Sequence, residues 1–316
     1  MTLPELVDPS ANPVCFLSAV ALADAYRTHM LSPLEVTRAM HERIASLNGR
    51  LAAYYELAID QSIDAARASE ARWMRHAPLS PLDGVPVSIK DHIDTQGLKT
   101  ARGFAIESVA AATFDAPPAA RLREAGAIIL GKTTMPELSV IVETTTRAFG
   151  ATRNPWQLDH TPGGSSGGAA AAVAAGLCTI AIGSDGGGSI RLPASFTGLA
   201  GHKPTLGRVP YFPGQTDRTV AGPLARSAAD CAAAMNVIAR PDGRDWMELA
   251  PDRTDYVAAL EEPSHGLRVG VSMDYGYQKV DSEVATIVER ALDAFAPIAS
   301  KVLRIGRVCN DPFRIY

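Results

Sequence analysis

Two glycine- and serine-rich clusters carry the residue types that could do chemistry, Gly163-Gly164-Ser165-Ser166-Gly167-Gly168 and Gly183-Ser184-Asp185-Gly186-Gly187-Gly188-Ser189-Ile190-Arg191. Glycine admits tight turns and lets main-chain N–H groups come close to a ligand. The N–H groups of Gly186, Gly187, Gly188 and Ser189 are therefore candidates for an oxyanion hole, which stabilises the tetrahedral intermediate of acyl transfer more than it stabilises the substrate. A serine hydroxyl is a weak nucleophile at neutral pH and needs a base within hydrogen-bond reach. The histidines, His29, His41, His76, His92, His160, His202 and His265, leave a Ser-His-Asp triad open. Lys90 is the better candidate base, because it follows an apolar run and a desolvated lysine gives up its proton more readily. On local pattern alone the favoured reading of Lys90 is a surface lysine beside Asp91. Glycine–serine clusters also occur as flexible linkers, but a linker would not be flanked by a helix and a strand that look buried.

The elements that must position these residues alternate. Ser32-Pro33-Leu34-Glu35 has the pattern of a capping box with proline at the first helical position, and Val36, Met40, Ile44 and Leu47 follow near helical spacing up to Gly49. A second helix is expected over Ala53–His76, closed by the turn Ala77-Pro78-Leu79-Ser80-Pro81, and Val85–Ile89 reads as a strand that delivers Lys90. Helices are expected at Ala119–Ala125, Gly168–Ala175, Ala228–Ala239 and Ser282–Phe295, and strands at Ala127–Leu130, Thr179–Ile182, Leu267–Val271 and Val302–Ile305. Such alternation predicts an α/β fold, a β-sheet core covered by helices on both faces. Pro204–Pro223 is expected to be a long loop, and the polar stretch Pro241–His265 a surface excursion or a hinge.

Three segments together, Gly84-Val85-Pro86-Val87-Ser88-Ile89-Lys90-Asp91, Pro162–Gly168 and Gly183–Arg191 followed by Pro193-Ala194, closely resemble the amidase-signature family in order and spacing. Gly131-Lys132-Thr133-Thr134-Met135-Pro136-Glu137 and Gly201-His202-Lys203-Pro204-Thr205 extend the resemblance, which covers roughly Leu34 to Ile305. It implies the family's mixed sheet in a single amidase-like domain over residues 1–316. It also implies hydrolysis of a carbon–nitrogen amide bond: Ser189 attacks the carbonyl, Ser165, in a cis peptide with Gly164, passes the proton, and Lys90 is the ultimate base. Asp185 and Arg191 would orient the nucleophile's loop, the plainer reading being an ordinary surface ion pair. Ser166 would join the hydrogen-bond network or cap the helix after it.

Composition limits the alternatives. The chain has 316 residues, 47% apolar and 20% charged, with a formal charge of −4, which is globular composition without an electrostatic footprint for nucleic acid or an anionic membrane. MTLPELVDPS lacks the basic and apolar regions of a secretory signal, and Gly168–Ile182 is too interrupted for a membrane span. Cys15, Cys178, Cys231 and Cys309 suggest neither a zinc site nor a disulfide framework, so a reducing cytoplasm, no metal and no cofactor are expected. The expected partner is a small-molecule amide, with homo-oligomerisation open.

Two motif matches are treated as accidental. Gly126–Thr133 satisfies the phosphate-loop pattern but reads as helix end and strand rather than strand, loop and helix. Gly163-x-Ser165-x-Gly167 satisfies the nucleophile-elbow pattern of α/β-hydrolases, yet Asn154–Pro162 before it reads as loop where that motif needs a strand. Family members normally continue beyond Tyr316, so the fold is expected to lack the family's C-terminal portion, the chain running out after Asp311-Pro312-Phe313-Arg314. Two further functions follow as alternatives: the glutaminase subunit of a tRNA-dependent amidotransferase, with partner subunits, or a catalytically silent amidase-like fragment acting as a binding module.

Overall fold

The computed structural model describes residues 4–105, 109–214 and 218–311. The initial Met1-Thr2-Leu3, the middle of the Pro204–Pro223 stretch and Pro312-Phe313-Arg314 lie outside the described residues. Its elements run in the order α1 (Ala19–Arg27), α2 (Pro33–Leu51), β1 (Tyr54–Leu57), α3 (Ile59–Met74), β2 (Pro86–Lys90), α4 (Pro117–Glu124) and β3 (Ile128–Thr133). A short hairpin, β4 (Thr145–Thr146) and β5 (Gly150–Ala151), precedes α5 (Gly167–Ala174), β6 (Ile180–Asp185), α6 (Arg191–Thr197), β7 (Ala200–Gly201), β8 (Val220–Ala225) and α7 (Ala228–Ile238). Last come β9 (Leu267–Val271), α8 (Ser282–Ala291) and β10 (Ala299–Arg304).

Six strands form one mixed sheet in the order β1-β3-β2-β6-β8-β7. The central trio β3-β2-β6 is parallel, while β1, β8 and β7 each pair antiparallel with a neighbour. Buried parallel strands read as continuous apolar runs because helices cover both faces. One face packs Val87, Ile89, Ile180 and Ile182 against Leu122 of α4 and Met235 of α7. The other packs Ile128, Leu130, Ala181 and Leu224 against Met40 and Ile44 of α2 and the alanines of α5. The capping box at Ser32 and Glu35 is present, with both reciprocal hydrogen bonds.

Two expectations are corrected. Ala53–Leu57 does not continue into a helix: Ala52 turns left-handed after α2, and Asn48 Oδ1 accepts the N–H groups of Ala53 and Tyr54 at 3.0 and 2.9 Å, launching β1 along the sheet edge. The end of the Pro204–Pro223 stretch is strand β8, not loop. Pro223 is tolerated there because its carbonyl accepts from His202 N–H at 3.0 Å. A residue's N–H and C=O point to the same side of a strand, so the missing donor of Pro223 falls on that side and the β6 ladder stays intact.

The chain divides into two compact units, Met1–Val257 and Ala258–Tyr316, with the division inside the polar Pro241–His265 stretch. The second unit is a β-α-β arrangement in which β9 and β10 pair in parallel and α8 connects them. Among the described residues no helix is long and apolar enough to cross a membrane, and no cluster of His, Cys, Asp and Glu could hold a metal ion.

Candidate active site

In open α/β sheets, ligands are met where parallel strands end at their carboxyl edge. Lys90 is the last residue of β2, and Ser184 and Asp185 are the last two of its parallel neighbour β6, with Ile89 opposite Ile182 in the register. The sheet thus converges the lysine and the second glycine–serine cluster at one edge. The first cluster reaches the same edge through α5, which packs on β6 and β2. That approach depends on missing side chains: a Cβ on Gly168 would lie 2.3 Å from Thr134 Oγ1, and one on Gly164 2.7 Å from the backbone of Val142 and Glu143.

Lys90 is fully buried and donates from Nζ to Ser165 Oγ at 2.7 Å and to Ser184 Oγ at 3.0 Å. Burial pushes its ammonium down to about 7, against the opposing pull of Asp185 and Asp91. A lysine so tuned is neutral for much of its time at neutral pH and can take a proton from a hydroxyl it touches. The surface-lysine reading is thereby corrected: no part of the side chain reaches water. The peptide between Gly164 and Ser165 is cis, as the resemblance implies.

Ser189 is half-buried, and its carbonyl accepts the Ser166 N–H at 3.2 Å, which ties the loop carrying one serine to the turn carrying the other. Ser166 does not cap α5 with its side chain. Its hydroxyl instead donates to Ser184 O at 3.2 Å and accepts from Ser184 N–H at 3.3 Å, stitching the first cluster to the end of β6.

Asp185 is the organiser of the second cluster. Its carboxylate is buried, meets Arg191 bidentately at 2.9 and 2.9 Å, and also accepts the N–H groups of Gly188 at 2.7 Å, Ile190 at 3.2 Å and Arg191 at 3.3 Å. Burial alone would raise this carboxyl, but the Arg191 and backbone hydrogen bonds outweigh it and hold the group below its ordinary value. An ordinary surface pair is excluded on the aspartate side, since only the arginine is exposed. One sequence expectation changes in consequence: the Gly188 N–H is occupied by Asp185 and is not available to an oxyanion, which leaves Gly186, Gly187 and Ser189 as candidate donors.

Two residues beyond those singled out in the sequence belong to the arrangement. Ser184 shares the lysine with Ser165, a role that follows from β6 lying beside β2 and that local sequence pattern does not signal. Asp91, next to Lys90, is fixed by the Tyr55 hydroxyl at 2.8 Å and the Gly103 N–H at 2.7 Å. Both accidental motifs are explained. Lys132 of the phosphate-loop pattern lies inside β3 and donates from Nζ to the Ile93 carbonyl, and among the described residues no strand leads into Gly163.

Comparison with known proteins identifies the family. The family model described as Amidase matches residues 35–302. The chain is 40% identical over 301 residues to the A subunit of glutamyl-tRNA(Gln) amidotransferase from Moorella thermoacetica, covering 94% of this chain and 60% of that protein. Among solved structures it is similar to a bacterial aryl acylamidase of the amidase-signature enzymes, with a TM-score of 0.87 and 32% identity over 93% of this chain and 62% of that one. It is also similar to the native peptide amidase from Stenotrophomonas maltophilia, with a TM-score of 0.82 and 30% identity over 93% of this chain and 63% of that one. The chain thus spans about three fifths of the length of the relatives it matches.

Proposed function

The chain belongs to the amidase family, and from that premise we propose that it cleaves a carbon–nitrogen amide bond through an acyl-enzyme on Ser189. The observation that carries this reading is the buried Lys90 amine, pushed to about 7 and 2.7 Å from the hydroxyl of Ser165. In the proposed sequence Ser189 Oγ attacks the amide carbon while its proton passes to Ser165 and the proton of Ser165 to Lys90. Carbonyl π electrons move to oxygen, and N–H groups among Gly186, Gly187 and Ser189 stabilise that charge. Collapse of the tetrahedral adduct breaks the C–N bond, and the same path returns the proton to the leaving nitrogen. Water then attacks the ester by the reverse relay, freeing the acid and Ser189.

A second reading concerns the form this chemistry takes, and the curated relatives favour it: the chain acts as the amide-cleaving component of an amidotransferase, drawing nitrogen from a primary carboxamide. The solved neighbours, an aryl acylamidase and a peptide amidase, support a stand-alone hydrolase. Both share the Ser189 acyl-enzyme. Ammonia release from primary carboxamides and arylamine release from anilides, measured side by side with Ser189→Ala as control, test the proposal. Release from either class that vanishes in the variant supports it; release that survives Ser189→Ala contradicts it. A preference for primary carboxamides, with co-purification of partner subunits, selects the amidotransferase form.

A further inference from the structure

A cavity of about 320 Å3, within the range that holds small ligands, is lined by Arg102, Met135, Leu138, Pro213 and Gly214. Its walls are chain segments anchored at the candidate active site. On one side, the Gly103 N–H next to Arg102 binds the carboxylate of Asp91, the residue after Lys90. On the other, the chain that supplies Met135 and Leu138 runs on to Val142 and Glu143, whose backbone abuts Gly164 beside Ser165. The described lining is apolar except for one charge, the exposed guanidinium of Arg102.

The backbone holds these side chains in place under strain. Arg102, Leu138 and Ser139 are non-glycine residues at φ 53°, 53° and 62°, and the Leu138 N–H donates to the Arg102 carbonyl at 3.0 Å. Left-handed backbone is unfavourable for an L-residue, and such strain persists where the surroundings over-determine it, as at active sites, ligand clamps and switch regions. Here the strained residues include the cavity's cation and an apolar wall residue, locked to one another.

We propose that this cavity receives the acyl end of the substrate, an apolar stem bearing a carboxylate that Arg102 grips. Met135, Leu138 and Pro213 suit methylene groups, and the planar guanidinium matches a carboxylate with two parallel hydrogen bonds. The inference rests on Ser189 as the acylated residue and names the class of acyl group it accepts.

The test uses two fluorophosphonates with the same alkyl stem, one ending in a carboxylate and the other in its methyl ester, and measures the rate of Ser189 labelling in the full chain. Wild type is expected to label about tenfold faster with the carboxylate reagent, the size of one charge-assisted contact. Arg102→Ala brings the two rates to near equality, and Arg102→Lys, which keeps the charge but not the fork, gives an intermediate ratio. The ratio between reagents is unaffected by a merely structural loss, which would slow both alike. Equal rates in wild type, or a carboxylate preference that survives Arg102→Ala, overturn the assignment of the cavity while leaving Ser189 as nucleophile. Failure of wild type to label with either reagent overturns the Ser189 reading and this inference with it.

Discussion

Two fully buried lysines stand on neighbouring parallel strands, Lys90 at the end of β2 and Lys132 within β3, one register step apart. Burial lowers both, to about 7 and about 8, with nearby carboxylates pulling the other way. What separates them is the partner. Lys90 donates to the hydroxyls of Ser165 and Ser184, whereas Lys132 donates to the carbonyl of Ile93. A hydroxyl has a proton to surrender and a carbonyl has none, so on this account only the first lysine can serve as a base. A depressed pKa makes a lysine available for chemistry, and the group it touches decides whether chemistry follows.

The sharpest way to break the comparison is to remove each end of the proposed proton path. Ser189→Ala is expected to lower amide turnover by on the order of 10⁴-fold or more, and Lys90→Ala by roughly 10²–10⁴-fold, with far-ultraviolet circular dichroism unchanged in both. Lys132→Met, by contrast, should leave turnover within about tenfold of wild type. Its effect belongs to stability, because the Ile93 carbonyl loses the amine and keeps only the Thr95 hydroxyl, at a cost of about 0.5–1.5 kcal/mol, readable in urea unfolding.

Asp185→Asn sharpens the electrostatic half of the comparison. Asp185 raises Lys90 and arranges Gly188, Ile190 and Arg191, so its neutralisation should shift the turnover inflection to lower pH and slow turnover by up to about 100-fold through misplacement. A further effect is on stability against pH. Between about 7 and lysine's ordinary 10.5 the unfolded chain binds the Lys90 proton that the folded chain does not, so stability rises with pH across that window. Lys132 adds a similar slope from about 8 upward. Urea unfolding at stepped pH should show a shallower rise in Lys90→Met and in Lys132→Met than in wild type, and an unchanged slope in both would contradict the burial of these amines.

Much of this arrangement was legible because it depends on local pattern. The apolar run before Lys90 marks a buried strand, and three separated segments in family order mark the serines and the lysine as one set. Less was legible where tertiary contacts override local preference. Ala53–Leu57 reads as helix until Asn48 captures its first N–H groups, and Pro223 reads as loop until His202 takes the carbonyl on the side where the donor is missing. The role of Ser184 required knowing that β6 lies beside β2, which pairing across nearly a hundred residues does not announce. The commitment of the Gly188 N–H to Asp185 depends on a turn geometry that the glycine run permits without specifying.

The most direct test of the central claim is the pH dependence of Ser189 acylation by a neutral fluorophosphonate, in wild type and in Lys90→Ala. The account predicts a rate that rises with pH through an inflection near 7 in wild type, as Lys90 loses its proton, and a slow rate lacking that inflection in the variant. A Lys90→Ala protein that keeps both the wild-type rate and the inflection would contradict it.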